Sequence, residues 1–369
     1  MRVLLAFDKF KGTLSAREVC DTVAEVITTS NSDFSMHKMP LADGGDGTLE
    51  ILKDVIDHAI KTVQTSDPLG RPVSVEYLSY GSVAYVELAN ASGITHLKKS
   101  ELDILSTTTV GTGEVIRSAI ADGADRIVLA LGGSCTNEMG LGILSALGFV
   151  FSDGEGRPLI PSGGNLIDIR HIHTAELSSV AFTILCDVQN PLYGARGAAR
   201  VYGPQKGAGE KEMTLLDAAV QHMEKLIFAN TGKRVGEMPG AGAAGGIAAG
   251  LYGLLPDVEI RKGISYLDEL LSIRSAVANS DLVMTGEGRL DDSSLDGKVV
   301  SYLAELCRDA KVPLHVIAGD VALSEKDLQQ AGITSAVSLT EQAGSAEAAM
   351  SAPVQALKKA VAAWMKRHG

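Results

Sequence analysis

The chain has 369 residues, 45% of them hydrophobic and 21% charged, with a formal net charge of −12 and four cysteines. This hydrophobic content is enough for two or three sizeable cores and excludes a disordered chain, and the negative balance argues against a general nucleic-acid binder. The cysteines are scattered with no C-x-x-C pair, and no run reaches the roughly 18 apolar residues of a membrane span, so a cytoplasmic protein with no signal peptide and no membrane partner is expected.

Residues 3–7, VLLAF, form an uninterrupted apolar run, as in a strand buried on both faces. Ser15 then caps a helix to about Thr28, with Glu18 at the capping-box position and Val19, Val23 and Ile27 on one face. A second strand is predicted over 34–41, and a second helix begins at Asp46 or Thr48. The middle of the chain changes rhythm. Residues 73–80 and 83–89 flank Gly81-Ser82 as an antiparallel hairpin. A helix over 113–122, a strand over 126–131, an apolar helix over 139–147 and a strand over 183–186 follow. The last part returns to strand–helix alternation: strands at 281–285, 313–318 and 336–339, helices at 295–310 and 324–331, and a long closing helix over 345–367. The pattern predicts an α/β protein of two domains. Residues 1–66 and 281–369 build a doubly wound parallel sheet of order 2-1-3-4-5, and residues 67–280 form an inserted mixed α/β domain. The active site is expected in the cleft between them.

Open α/β sheets bind ligands at the carboxyl ends of their strands, and three glycine-and-acid segments fall there. Asp8, Lys9 and Lys11 precede a helix and suit a cation or an anion; the plainer reading is a solvated loop. PLADGGDGTLE, residues 40–50, sets Asp43 and Asp46 among glycines at a helix mouth, where bare amides can grip a carboxylate; the plainer reading is a capped turn. Residues 285–291, TGEGRLD, offer an acid and a guanidinium that can hold a carboxylate bidentately. In the insert, Gly132, Gly133, Ser134, Thr136 and Asn137 lie between a strand and a helix, as a phosphate cradle would. Asp187 ends an apolar strand, where an acid can bind magnesium or remove a hydroxyl proton, and Asn190, Arg196, Arg200 and Lys206 follow it.

Other patterns carry less. GAGAAG at 240–245 matches the dinucleotide glycine pattern but follows no buried strand, so it reads as a glycine-lined helix start. His171 and His173 share a strand face without further ligands nearby and read as surface residues, and none of the cysteines reads as a nucleophile.

The strings AFDKFKGTLSA, PLADGGDGTLE, DPLGRPV, GGSCTN, DVQNPLYGARGAARVYGPQKGA, GAGAAGGIAAGL and TGEGRLDDSSLDGK resemble the type-1 glycerate kinases. The resemblance covers essentially the whole chain, in the same order and spacing. It implies a flavodoxin-like domain with an inserted α/β domain, and phosphorylation of D-glycerate by ATP with magnesium, usually at the 2-hydroxyl to give 2-phosphoglycerate. On that footing Arg289, with the Gly44 and Gly45 amides, is expected on the substrate carboxylate, and Asp43, Asp46, Thr285 and Glu287 on its hydroxyls. Lys11 is expected to stabilise the transferred group. Asp187 is the first choice for general base or magnesium ligand, and Asp8 the second. Gly132, Gly133, Ser134, Thr136, Asn137, Asn190, Lys206 and Gly242 are expected on the nucleotide. The sequence departs from the family's common S-x-T-N-D-G-G run at Glu138 and Met139, and has Lys9 where the family often has Ser. Phosphorylation at the 3-hydroxyl, or of another small hydroxy acid, stays open. So does a two-lobed acid-binding protein; a dehydrogenase lacks its dinucleotide strand.

Overall fold

The protein is described by a computed structural model covering residues 1–30, 33–175, 177, 180–295 and 297–368. The VLLAF run becomes the strand Arg2–Leu5 and its extension. Val3, Leu5 and Phe7 enter one core with Val19, Val23, Ile27, Leu357 and Trp364, while Leu4 and Ala6 enter a second with Val300, Leu303 and Leu306. A strand with a core on each face cannot alternate apolar with polar, which is why this run is continuous. Its neighbours are Ser35–Lys38, Leu282–Thr285, Leu314–Ala318 and Ser335–Ser338. Every pairing is parallel, and the order is 2-1-3-4-5, as the alternation predicts.

The helix Ala16–Ser30 starts as its sequence dictates. Ser15 N donates to Glu18 Oε2 at 2.8 Å, and Glu18 N donates back to Ser15 Oγ at 3.3 Å. The closing helix differs from expectation. It is two pieces, Ala346–Ser351 and Pro353–His368, and an unpredicted short helix, Leu339–Ala343, precedes them. Proline disfavours helical backbone in the residue before it, and Ala352 sits at φ −138°, ψ 62°.

The insert is built on a six-stranded mixed sheet. From one edge the strands run Val258–Arg261, Ala181–Leu185, Arg126–Ala130, Val83–Glu87, Pro72–Tyr80 and Ala59–Ser66. The first four are mutually parallel, and the last two add antiparallel as hairpins. Helices Val110–Ala121, Leu141–Ala146, Glu210–Thr231 and Ile247–Leu254 supply much of a single large core. Among the described residues no helix is long and apolar enough to cross a membrane.

The two compact units divide at 43/44 and 261/262, earlier in the chain than the crossings at 66 and 280 read from sequence. Two features explain the difference. Ala59–Ser66 is a strand of the mixed sheet, paired along its length with Pro72–Tyr80. Ile264, Ile273 and Val277, on helices Gly263–Leu271 and Ile273–Ala278, pack into the core beneath the parallel sheet.

Candidate active site

In the unit carrying the parallel sheet, three adjacent strands deliver one acid each at their carboxyl ends: Asp8, Asp43 and Glu287. Backbone bonds fix these loops. Asp8 N donates to Gly286 O at 3.1 Å, Leu41 N to Phe7 O at 2.8 Å and Gly319 N to Glu287 O at 3.1 Å. Gly286 is obligatory, since a Cβ there would stand 1.7 Å from Ile317 O. Burial pushes the Asp8 carboxyl well above its ordinary range and Asp43 adds to this, against Lys9 and its amide. Glu287 is also raised, first by burial and further by Asp291 and Asp43, with Ser294 and Lys298 opposing. Glu287 Oε1 is buried with no hydrogen-bond partner among the described residues. Such a crowd of carboxyls with an open acceptor is suited to accept from hydroxyl groups.

Lys11 and Arg289 at this edge are exposed, and Lys9 is half-buried. Lys11 lies on a solvent-facing loop, and among the described residues the acids nearest the Arg289 guanidinium stand at long range, 3.6 Å for Asp291 and 3.9 Å for Asp320. Its guanidinium donors therefore remain available to an anion. Thr285 is placed differently from its expected role. It is fully buried, and its hydroxyl donates to Ala6 O at 2.6 Å, tying strand to strand.

In the inserted unit, the two glycine loops meet. A Cβ on Gly132 would stand 2.5 Å from Asp46 N and 2.7 Å from Gly45 Cα. Only a glycine lets these backbones approach so closely. Two amides of the 44–50 turn are already taken. Gly47 N donates to Glu87 Oε1 at 2.9 Å and Leu49 N to Glu87 Oε2 at 3.1 Å. Sequence reasoning misses Glu87, because nothing local to it signals a contact some forty residues away.

Beyond Gly132 the loop runs over Lys206, which is 2% exposed. Lys206 Nζ donates to Ser134 Oγ at 2.7 Å and Thr136 O at 2.8 Å. Burial lowers its pKa to about 8, with Cys135 and Glu138 opposing. Thr136 Oγ1 and both polar atoms of Asn137 are buried without partners among the described residues. Two of three ammonium donors are used, so this pocket holds spare donors of the kind an oxyanion recruits. Glu138 is fully buried; burial raises it to about 7, while Gly142 N donates to its Oε2 at 2.8 Å. Met139, at the other departure from the family run, stands at φ 57°, a backbone region that favours glycine.

Asp187 is 8% exposed at the end of Ala181–Leu185. Two predicted nucleotide contacts have partners within the chain. Asn190 Nδ2 donates to Arg196 O at 2.9 Å, and its Oδ1 accepts from Tyr202 OH at 2.7 Å. Gly242 packs on Pro191 O, with its amide donating to Asn190 O at 2.9 Å. The GAGAAG segment precedes Ile247–Leu254 with no strand before it, and Gly245 fits against Thr136 and Asn137. His171 and His173 are exposed, and among the described residues no cluster of three or more His, Cys, Asp or Glu could hold a metal. None of the four cysteines is in a disulfide, and all are buried.

An α/β chain with acids at the strand ends and a donor-rich pocket under a glycine loop has the parts of a phosphotransferase. The model of the glycerate kinase family matches residues 3–368. A glycerate kinase of Bacillus cereus is 36% identical over 92% of this chain and 91% of its own length. A glycerate 2-kinase of Escherichia coli is 34% identical over 95% of this chain and 93% of its own. A crystal structure assigned to a glycerate kinase 2 of Salmonella typhimurium LT2 superposes with a TM-score of 0.77 at 33% identity, covering 100% of this chain and 98% of the other. The chain belongs to the glycerate kinase family and is an enzyme, a phosphotransferase.

Proposed function

We propose that the protein transfers the γ-phosphoryl group of ATP to the 2-hydroxyl of D-glycerate, giving 2-phosphoglycerate, by in-line displacement with magnesium. The observation that carries this reading is the convergence of Asp8, Asp43 and Glu287 at one sheet edge, with Glu287 Oε1 open. Glycerate is a small anion with two hydroxyls, so it needs acceptors for those hydroxyls and a cation for its carboxylate. Asp43, Asp46 and Glu287 accept from the hydroxyls, and Arg289 holds the carboxylate. Asp187 takes the proton of the attacking hydroxyl, with Asp8 as the second choice for that role. Lys11 offsets charge on the group in transfer.

The pocket of Ser134, Thr136, Asn137 and Lys206 supports nucleotide phosphate binding, through its buried unpartnered donors. Magnesium is usually held by one or two carboxylates together with substrate phosphates. Of Asp187 and Asp8, the acid that does not take the proton fits that requirement: Asp8 where Asp187 is the base, or the buried carboxylate of Asp187 where Asp8 is. The metal would supply charge neutralisation on the phosphates. Chain residues then do the remaining work of positioning, which dominates phosphoryl transfer.

Purified protein incubated with MgATP and D-glycerate, followed by phosphorus NMR, tests this. A 2-phosphoglycerate resonance is expected. A 3-phosphoglycerate resonance overturns the regiochemistry, and intact ATP overturns the whole reading.

A further inference from the structure

We propose that Glu87 is a positioning residue for the acceptor substrate, fixing the 44–47 loop and the carboxyl group of Asp46. The proposal rests on Asp46 contacting substrate, as in the reading above. Glu87 ends the strand Val83–Glu87 and is 4% exposed. It serves as the cap of the helix Thr48–Leu52. The N-cap residue, Gly47, has φ 92° and no side chain to offer. A helix mouth leaves N–H groups without partners, and a Ser or Asp at the N-cap normally satisfies one. At this φ an L side chain is strained. The cap therefore comes from a distant strand: both Glu87 oxygens accept, one from Gly47 N at 2.9 Å and one from Leu49 N at 3.1 Å.

Beside it, the Asp46 side chain raises the pKa of the same carboxyl, by its charge and by a side-chain hydrogen bond. A hydrogen bond between two carboxyls requires that one carries the proton. On its other side the loop lies against Gly132, whose missing side chain lets Asp46 N come within 2.5 Å of where a Cβ would be. Asp46 is thus pinned between Glu87 and a backbone that cannot yield. Burial is the main cause raising Glu87 to about 7, the two amides oppose it, and Asp46 adds to it. The other charged groups on the elements packed here are engaged or remote. Glu50 is exposed, Glu76 pairs with Lys53, Glu114 accepts from Thr65 and Arg117 donates to Ala146 O. Arg126 is at the far end of its strand, where Ala130 pairs with Glu87.

A second ionisation of the pair would add negative charge beside an anionic substrate. Glycerate binding should then weaken as pH rises, and nucleotide binding should not. The test is steady-state kinetics on the full chain from about pH 6 to about pH 8.5, with glycerate and ATP varied separately, for wild type, E87Q and D46N. In wild type the glycerate KM should rise about tenfold across this range, with the ATP KM constant. E87Q should flatten the glycerate profile and raise its KM at the acid end about fivefold, with a smaller change in kcat. Asp8, Asp43 and Glu287 remain intact in E87Q, so the difference from wild type isolates the pair. An E87Q enzyme with the wild-type slope, or with an equal rise in ATP KM, overturns the proposal. If E87Q does not fold, E87D, which keeps the acid but shortens its reach to the Gly47 and Leu49 amides, should raise the glycerate KM with the ATP KM unchanged, and a wild-type glycerate KM there overturns the proposal too. D46N with wild-type glycerate KM at every pH would instead remove Asp46 from the substrate site.

Discussion

At the carboxyl edge of the parallel sheet, like charges are crowded, and Lys11 and Arg289 stay in water. Around Lys206 the reverse holds: the cation is enclosed, and the groups touching it are a hydroxyl and a carbonyl. Both arrangements bury charge at a cost, but they fail differently when altered. Removing an acid from the first relieves repulsion. Removing the cation from the second strands two acceptors in a dry interior. The difference teaches where this chain holds unfavourable electrostatics for chemistry and where it has made them part of its framework.

The largest effect is expected at Asp187. Asp187→Asn should lower kcat by about 10²–10⁴-fold with little change in either KM, as for loss of a general base. Near-normal single-turnover rates would remove it from the chemistry. Lys206→Met comes next and should separate the two regions most clearly. It should lower kcat by about a hundredfold and cost roughly 1–3 kcal/mol of stability for the acceptors left unpaired, read by urea melts. A variant as stable as wild type would mean that Lys206 is not part of the framework.

Glu287→Gln should do the opposite to stability. The folded pKa of Glu287 lies above its unfolded value, so the folded state binds its proton more readily. Its contribution is fully present below the unfolded value near 4.5 and is lost as pH rises through the folded value. At neutral pH the variant should therefore melt at or above wild type, with the gap closing toward about pH 4.5, while activity falls about tenfold. A variant that melts lower at neutral pH than at acid pH, relative to wild type, would show that the acid edge is not strained. Arg289→Met is the mildest change. Its contacts are long and exposed, so stability should move by less than about 0.5 kcal/mol. The glycerate KM should rise about tenfold with the ATP KM unchanged. Equal loss for both substrates would argue against a role on the carboxylate.

Much of the fold was legible because its signals are local. The unbroken 3–7 run specified a strand between two cores, and the Ser15–Glu18 box marked the start of a helix. The acids Asp8, Asp43 and Glu287 were legible because strand ends are where such sheets bind ligands. The parts that were not legible depend on distant partners. Ala59–Ser66 is an edge strand, mostly exposed, with Lys61, Thr62 and Gln64 interrupting its apolar residues, so the sequence carries no clear strand signal there. The role of Glu87 exists only once its strand lies beside the 44–47 loop. Asn190 and Thr285 carry the right chemistry for ligands, and only the folded chain shows their groups already engaged.

The bond from Thr285 to Ala6 spans 279 positions in the chain. During synthesis the first two strands emerge early, yet the strand that sits beside the first is made near the end. At roughly 5–20 residues per second, the N-terminal segment waits about 15–60 s for its neighbour. Through that interval the apolar face of Ala16–Ser30 and the VLLAF run have no complete sheet to cover them, while residues 44–261 leave the ribosome with all six strands of their own sheet. Residues 3–30 therefore wait longer for their partners than the strands of the inserted unit do, and a holdase chaperone that covered them over that interval would shield their apolar surface.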